Sequence, residues 1–128
     1  MRLLDTVVII GALNTENRHH AESVKRLEEL GESGEARVPV TVLLEADLVM
    51  KARGYTAEER RLTWRALQGW ITAGRVIPNT VTSIHNAVAL QEHGLDYFDS
   101  LIASLALEVG ATVVTTDKAL RDVVGTDW

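Results

Sequence analysis

Short apolar runs alternate with longer amphipathic segments along the chain. The first run, residues 2–9, predicts a short buried strand that continues into a turn or a helix, with Asp5 at the carboxyl end of the strand. Three further runs predict strands: ARVPV at 36–40, RVIP at 75–78 and ATVVTTD at 111–117. Continuous apolar runs of this kind are typical of strands that are buried on both faces of a sheet.

Helical spacing of apolar residues fills the segments between these strands. Residues 16–31 predict a helix, and Gly31 is a natural stop before a loop at 31–35. Thr41 and Thr56 are predicted to cap the next two helices, Thr56 in a capping box with Glu59. The later helices are predicted over 41–52, 56–74, 80–93, 96–110 and a short segment from 117. Their predicted apolar faces contain Leu44, Leu48 and Val49, then Leu62, Ala66, Leu67, Trp70 and Ile71, then Ile84, Ala87, Val88 and Leu90.

The alternation of strands with helices predicts the α/β fold class, as a three-layer α/β/α domain with a short-stranded, mostly parallel sheet. The 128 residues form one predicted domain, 1–128, without a repeat or a linker. The composition is 46% hydrophobic and 24% charged, so the chain can bury a core without disulfide staples. In an open sheet of this kind, ligands bind beyond the carboxyl ends of the strands.

Charge and cysteine content exclude several functions. A formal net charge of −5 argues against a protein that coats duplex nucleic acid by electrostatics alone, whereas bound metal ions would supply positive charge locally. The absence of cysteine excludes a disulfide framework, a thiol nucleophile and a cysteine-ligated metal. We predict a cytoplasmic protein with no membrane segment, because no secretory signal is visible and no apolar run approaches the roughly 20 residues that span a bilayer.

Four acidic residues are expected to meet at one edge of the predicted sheet. Asp5 ends the first strand, Asp117 ends the last, and Glu45 lies about one helical turn after the second. Asp99 lies in the first turn of the helix before the last strand. Oxygen-only ligands suit Mg²⁺ or Mn²⁺, and two such ions can activate water for phosphodiester cleavage. Each aspartate taken singly is explained equally well as a helix cap, with Asp96 and Asp99 forming a D-x-x-D helix start.

Other polar residues receive simpler interpretations. Thr6 and Thr115 flank two of the acids and either orient a carboxylate or end a strand. Asp47 lies about 200° around the helix from Glu45 and is left outside the site. The four histidines have no ligand spacing and are interpreted as ordinary surface residues. The basic stretch 51–65 either contacts RNA phosphates or forms a solvated helix face. Its candidate contacts are Arg53, Tyr55, Arg60, Arg61 and Trp64.

The segments that carry the acids resemble a PIN domain, and specifically a VapC-type toxin ribonuclease of a toxin–antitoxin system. LLDTVVIIGAL resembles the opening strand and first acidic residue of that family. VTVLLEADLV resembles the helix that carries its glutamate, with a hydroxyl residue four positions earlier. DYFDSLIASLALEVGATVVTTD resembles its closing signature of an aspartate, a helix with small residues, a glycine turn, a strand and a T-x-D motif. The resemblance covers essentially the whole chain in order.

This resemblance implies a Mg²⁺- or Mn²⁺-dependent endoribonuclease that uses water as the nucleophile and forms no covalent intermediate. The implied metal-binding and catalytic residues are Asp5, Glu45, Asp99 and Asp117. Thr115 falls on the threonine of the T-x-D motif, while Thr6 and Asp96 rank as supporting residues. The resemblance further implies RNA as substrate, a homodimer, and a VapB-type antitoxin whose C-terminal segment blocks the active-site groove.

Two other classes of function stay open at this point. A receiver-type phospho-acceptor domain also places aspartates at strand ends around Mg²⁺, but it requires paired acids, and Asp5 has no acidic neighbour. A receiver also requires a lysine after its last strand, whereas here Lys118 follows Asp117. A catalytically silent PIN-like module that only binds a partner is the other alternative, and it predicts no stabilisation by Mn²⁺.

Overall fold

A computed structural model describes residues 1–32 and 34–128, and these form five strands and seven α-helices. The strands are β1 (Arg2–Leu4), β2 (Ala36–Pro39), β3 (Val76–Ile77), β4 (Thr112–Val114) and β5 (Thr126–Asp127). The helices are α1 (Thr6–Leu13), α2 (His20–Glu32), α3 (Val40–Ala52), α4 (Ala57–Leu67), α5 (Val81–Glu92), α6 (Tyr97–Val109) and α7 (Lys118–Arg121). A single 3-10 turn, Ala73–Arg75, precedes β3.

The five strands form a parallel sheet in the order β3-β2-β1-β4-β5. Leu3 of β1 lies opposite Arg37 of β2 on one side and Val113 of β4 on the other. Leu3 and Leu4 point to opposite faces of the sheet, and both are fully buried, so both faces are covered. The predicted α/β class is therefore confirmed. Since all strands run in one direction, their carboxyl ends meet at one edge.

The first strand ends at Leu4, with Asp5 at its carboxyl end as predicted, and the apolar residues after Asp5 form the helix α1. Asp5 is the N-cap of this helix, and its carboxylate accepts a hydrogen bond from the backbone N–H of Thr6 at 2.7 Å. A short buried apolar run lacks the periodicity that separates a strand from a helix. Only the capping residue marks the boundary here.

The second helix begins later than residue 16. The side chains of Asn14 and Asn17 accept hydrogen bonds from backbone N–H groups two residues further on, which holds the segment before α2 in turns. The helix continues through the stop predicted at Gly31 and ends at Glu32. The loop predicted at 31–35 includes Ser33, which lies outside the described residues.

The buried face of α3 differs from the predicted one. The N-cap is Pro39, not Thr41, and Thr41 lies inside the first helical turn. Leu44 and Leu48 are 56% and 51% exposed, whereas the helix buries Val42, Ala46 and Met50. Apolar residues surround most of this helix, so the sequence pattern does not select which stripe packs against the neighbouring helices α1 and α6.

The capping box of α4 is confirmed, but the helix ends at Leu67, well before residue 74. Some side chains predicted to point inward are exposed: Leu62, Trp70, Ile84 and Val88. The buried residues of these two helices are Leu67 in α4 and Ser83 and Ala87 in α5. The last strand, β5, was not predicted, because both of its residues, Thr126 and Asp127, are polar. No helix in the described part of the chain is long and apolar enough to cross a bilayer.

Gly11 allows α1 and α2 to pack closely. A Cβ atom at this position would lie 2.3 Å from Ser23 Oγ and 3.0 Å from Ser23 Cβ. We expect Gly11→Ala to lower the free energy of unfolding by about 1–3 kcal/mol, because the helices must separate to admit the methyl group. Urea denaturation measures this change. Gly74→Ala is the control, since its Cβ would meet no atom within 4 Å, and an equal loss in both variants would contradict the packing explanation.

Candidate active site

The acidic side chains singled out in the sequence come from four elements at the carboxyl edge of the sheet. Asp5 directly follows β1, and Asp117 follows β4 as the N-cap of α7. Glu45 lies in the second turn of α3, the helix that directly follows β2. Asp99 lies in the first turn of α6, whose N-cap is Asp96. Parallel strands bring these segments together because all their carboxyl ends lie on one side.

Asp5 is the most deeply buried of these acids, with 4% of its surface exposed. Its Oδ1 accepts the Thr6 N–H, and its Oδ2 accepts the Thr115 hydroxyl at 2.7 Å. Burial raises the pKa of Asp5 above its ordinary value, and the hydrogen bonds from Thr115 and Thr6 oppose that shift. The capping role of Asp5 and a ligand role are compatible, because a cap bond uses only part of the acceptor capacity of a carboxylate.

Two threonines connect the acids to one another. The Thr115 hydroxyl donates to Asp5 and accepts the backbone N–H of Asp117 at 3.0 Å, so it links the segments after β1 and β4. The Thr6 hydroxyl donates to Oε1 of Glu45 and ties α1 to α3. Burial raises the pKa of Glu45, with the Thr6 hydrogen bond opposing the shift. Both threonines are buried and therefore orient the carboxylates that they contact.

Asp99 also has a strongly raised pKa. Partial burial, a hydrogen bond to Asp117, and repulsion from Asp96, Asp117 and Asp5 together raise its pKa to about 8. The Asp96 side chain accepts the Asp99 backbone N–H at 2.8 Å, so it places the first turn of α6 beside the other acids. At neutral pH the Asp99 carboxyl is therefore protonated and donates to Asp117 when no cation is bound.

These acids line one pocket of about 500 Å³. Asp5, Glu45, Asp99 and Asp117 all face it, as do Thr6 and Asp96, whereas Thr115 lies behind Asp5. Asp47 faces a different pocket, as predicted from its helical position. It accepts hydrogen bonds from Arg60 and Trp64, and the Arg60 bond is the main cause that lowers the pKa of Asp47 to about 2.

Sequence reasoning missed part of the pocket wall. His19, which was interpreted as an ordinary surface residue, lines the pocket together with Asn17 and Arg18. Arg53, one candidate of the basic stretch, also lines it. The signal that could have found Arg53 is its position, since it directly follows α3, about two helical turns after Glu45.

The donor set fits a hard divalent cation. Its ligands would be carboxylate oxygens, which Mg²⁺ and Mn²⁺ prefer. Burial first, and then repulsion between neighbouring carboxylates, raises the pKa values of Asp5 and Asp99, and a bound cation would relieve that repulsion. Among the described residues, no three Asp, Glu or His side chains already form a ready metal-binding group. A bound ion therefore requires Asp99 to lose its proton and the facing carboxylates to turn inward.

Fold and pocket define an α/β domain with a carboxylate-lined pocket at the carboxyl edge of a parallel sheet. The family model described as PIN domain matches residues 2–125. The chain therefore belongs to the PIN domain family. This assignment leaves the receiver-type alternative without support.

Solved structures with the same fold cover nearly the whole chain. FitAcB from Neisseria gonorrhoeae is 21% identical, with a TM-score of 0.72 over 98% of this chain and 96% of that chain. VapBC2 from Rickettsia felis, bound to a DNA fragment from their promoter, is 20% identical, with a TM-score of 0.73 over 99% and 98%. PAE2754 from Pyrobaculum aerophilum is 18% identical, with a TM-score of 0.65 over 98% and 82%. No curated protein matches the chain.

Proposed function

We propose that this protein is a divalent-metal-dependent endoribonuclease and the toxin of a VapBC-type toxin–antitoxin pair. The observation that carries the proposal is the convergence of Asp5, Glu45, Asp99 and Asp117 on one pocket of a PIN fold. Capping alone does not explain this convergence, because Glu45 caps no helix and Asp99 lies inside a first turn. The likeness to VapBC2 and FitAcB supports the same class of protein.

The four acids have two kinds of role in this proposal. Asp5, Asp99 and Asp117 hold the cation, and Glu45 completes its ligand shell or positions the attacking water. A bound Mg²⁺ or Mn²⁺ supplies a water of lowered pKa and stabilises the leaving oxygen of the phosphodiester. Thr115 and Thr6 keep Asp5 and Glu45 in the orientation that the pocket requires.

The proposed protein partners are a VapB-type antitoxin and a second copy of the chain. The structural neighbour VapBC2, which is bound to a DNA fragment from their promoter, supports the first. Exposed apolar side chains support the second, since Val81 is 86% exposed, with Ile84, Val88 and Leu107 about half exposed. In this setting the substrate is cytoplasmic RNA.

Metal titration tests the proposed function. We expect saturating Mn²⁺, at about one hundred times its Kd, to stabilise the protein by about 2.7 kcal/mol, because the ion binds only the folded state. Thermal unfolding with Mn²⁺ and with EDTA measures this change, and denaturing gels of a mixed RNA pool measure cleavage under the same conditions. The absence of both effects would contradict the nuclease and favour the silent partner-binding module, whereas Mn²⁺ stabilisation without RNA cleavage would mean a metal-binding protein that is not a ribonuclease.

A further inference from the structure

The pocket has acids around Glu45 and a basic residue, Arg53, at the far end of α3. Glu45 and Val49 lie on α3 at four-residue spacing, Arg53 is the C-cap residue directly after the helix, and all three line the pocket. A rise of 1.5 Å per residue separates Glu45 from Arg53 by about 12 Å along the helix. Arg18, from the turns between α1 and α2, lines the same pocket. The pocket is therefore a groove with two ends of opposite charge.

An apolar floor separates these two ends. Val7 and Ile10 of α1 line the groove together with Val49 of α3, and the two helices pack against each other. A surface of this kind provides dispersion contacts for a ribose or a base, and it offers no side-chain hydrogen bond of its own. The groove thus presents an acidic end, an apolar middle and a basic end in that order.

The guanidinium groups of Arg18 and Arg53 are not neutralised by the neighbouring acids. Within the described chain, neither forms an ion pair, although the pocket contains carboxylates, whereas Arg2, Arg26 and Arg60 all pair with acids. Both arginines are exposed. Their positive charges are available to an anion that enters the groove.

Arg18 is also held in place. Its Nε donates a hydrogen bond to Nε2 of His19 at 3.2 Å. The His19 ring in turn lies edge-on against Trp128, with ring centroids 5.2 Å apart. His19 is a positioning residue in this arrangement, because it fixes the direction of the Arg18 side chain without using the outer guanidinium nitrogens.

We propose that Arg18 and Arg53 bind a backbone phosphate of the RNA strand at a fixed distance from the phosphate that is cleaved. This inference rests on the proposed function, and it names a second anchoring point for the same substrate. Guanidinium groups bind phosphate oxygens with paired, charge-assisted hydrogen bonds. The rise of about 12 Å along the backbone from Glu45 to Arg53 corresponds to roughly three stacked nucleotides at about 3.4 Å each, or fewer in an extended strand. The nucleosides between the bound phosphate and the cleaved phosphate lie over the apolar floor.

Steady-state cleavage of a short RNA with Mn²⁺ tests this assignment. We expect Arg18→Gln and Arg53→Gln each to raise KM about tenfold, with a smaller change in kcat, since they remove binding at a distance from the reacting bond. The slope of log KM against log salt should fall by roughly 0.7 in the double variant, the value for one phosphate contact on a single strand. Arg65→Gln is the control, because this exposed arginine on α4 faces a different pocket.

A neutral backbone substitution identifies the phosphate itself. A single methylphosphonate is moved along the RNA, one position per oligonucleotide, and KM is measured for each. Near the expected distance, one position should raise KM about tenfold with the wild-type protein and leave it unchanged with the double variant. Unchanged KM values in both arginine variants, while the wild-type protein cleaves RNA, would overturn this inference and leave the nuclease intact. A wild-type protein that neither binds nor cleaves RNA would overturn both.

Discussion

Replacing Asp99 by asparagine should abolish RNA cleavage and, in the same protein, stabilise the metal-free fold. The loss of activity follows because asparagine removes one negative ligand charge from a site built of carboxylates. Removal of a group that acts on the transition state costs about a thousandfold in rate, and we expect at least this loss in kcat. Single-turnover cleavage with saturating Mn²⁺ measures the effect without interference from product release.

The gain in stability follows from the raised pKa of Asp99. In the folded protein this pKa is about 8, whereas its ordinary value is 3.8. Below pH 4 the carboxyl is protonated in both the folded and the unfolded state, so its ionisation costs no stability. Between pH 4 and 8 only the unfolded state releases the proton, so the free energy of unfolding of the metal-free protein falls as the pH rises. Asparagine carries no such proton, and its amide can still donate to Asp117.

We therefore expect Asp99→Asn to be about 2 kcal/mol more stable than wild type at pH 8 without metal, and equal to it near pH 4. Chemical denaturation at the two pH values measures the difference. Asp122→Asn is the matched control, since this exposed acid directly follows α7 and does not line the pocket. An Asp99→Asn protein that cleaves RNA as fast as the control would remove Asp99 from the site.

The order of strands and helices could be predicted because it depends on local patterns. Thr56 and Asp96 cap their helices as expected, and the apolar strands lie where their runs occur. Asp5 marks the end of β1 as predicted, but the choice between a turn and a helix after it could not be made, because so short an apolar run lacks periodicity. Likewise Leu44 and Leu48 are apolar but exposed, since packing against neighbouring helices selects one stripe among several.

The candidate site could likewise be predicted only in part from the sequence. Asp5, Asp99 and Asp117 could be placed at one edge because parallel strands determine where their carboxyl ends lie. The basic end of the groove could not be predicted, because Arg18 reaches the pocket through turns whose path depends on the side chains of Asn14 and Asn17. Arg53 and Arg60 belong to the same basic stretch, yet Arg60 is bound to Asp47 and Arg53 is not. The charges in the sequence do not show which of these two arginines is paired with an acid.

The affinity for Mn²⁺ should rise about tenfold for each pH unit between pH 6 and 8. Below pH 8 the Asp99 carboxyl holds a proton, and an ion that uses this carboxylate must displace it. Each bound ion therefore releases one proton from Asp99 in this range, and the apparent Kd falls about a hundredfold over two pH units before it levels off.

Calorimetric titration in buffers of different ionisation enthalpy counts the protons directly. At pH 7 we expect about one proton per site from wild type and close to none from Asp99→Asn, whose metal affinity should be weak and nearly independent of pH between 6 and 8. Asp122→Asn should reproduce the wild-type slope, because its carboxylate does not face the pocket. A wild-type affinity that stays constant from pH 6 to 8 would mean that the cation does not use Asp99. The ion would then have to lie against the other acids while Asp99 remains protonated beside Asp117.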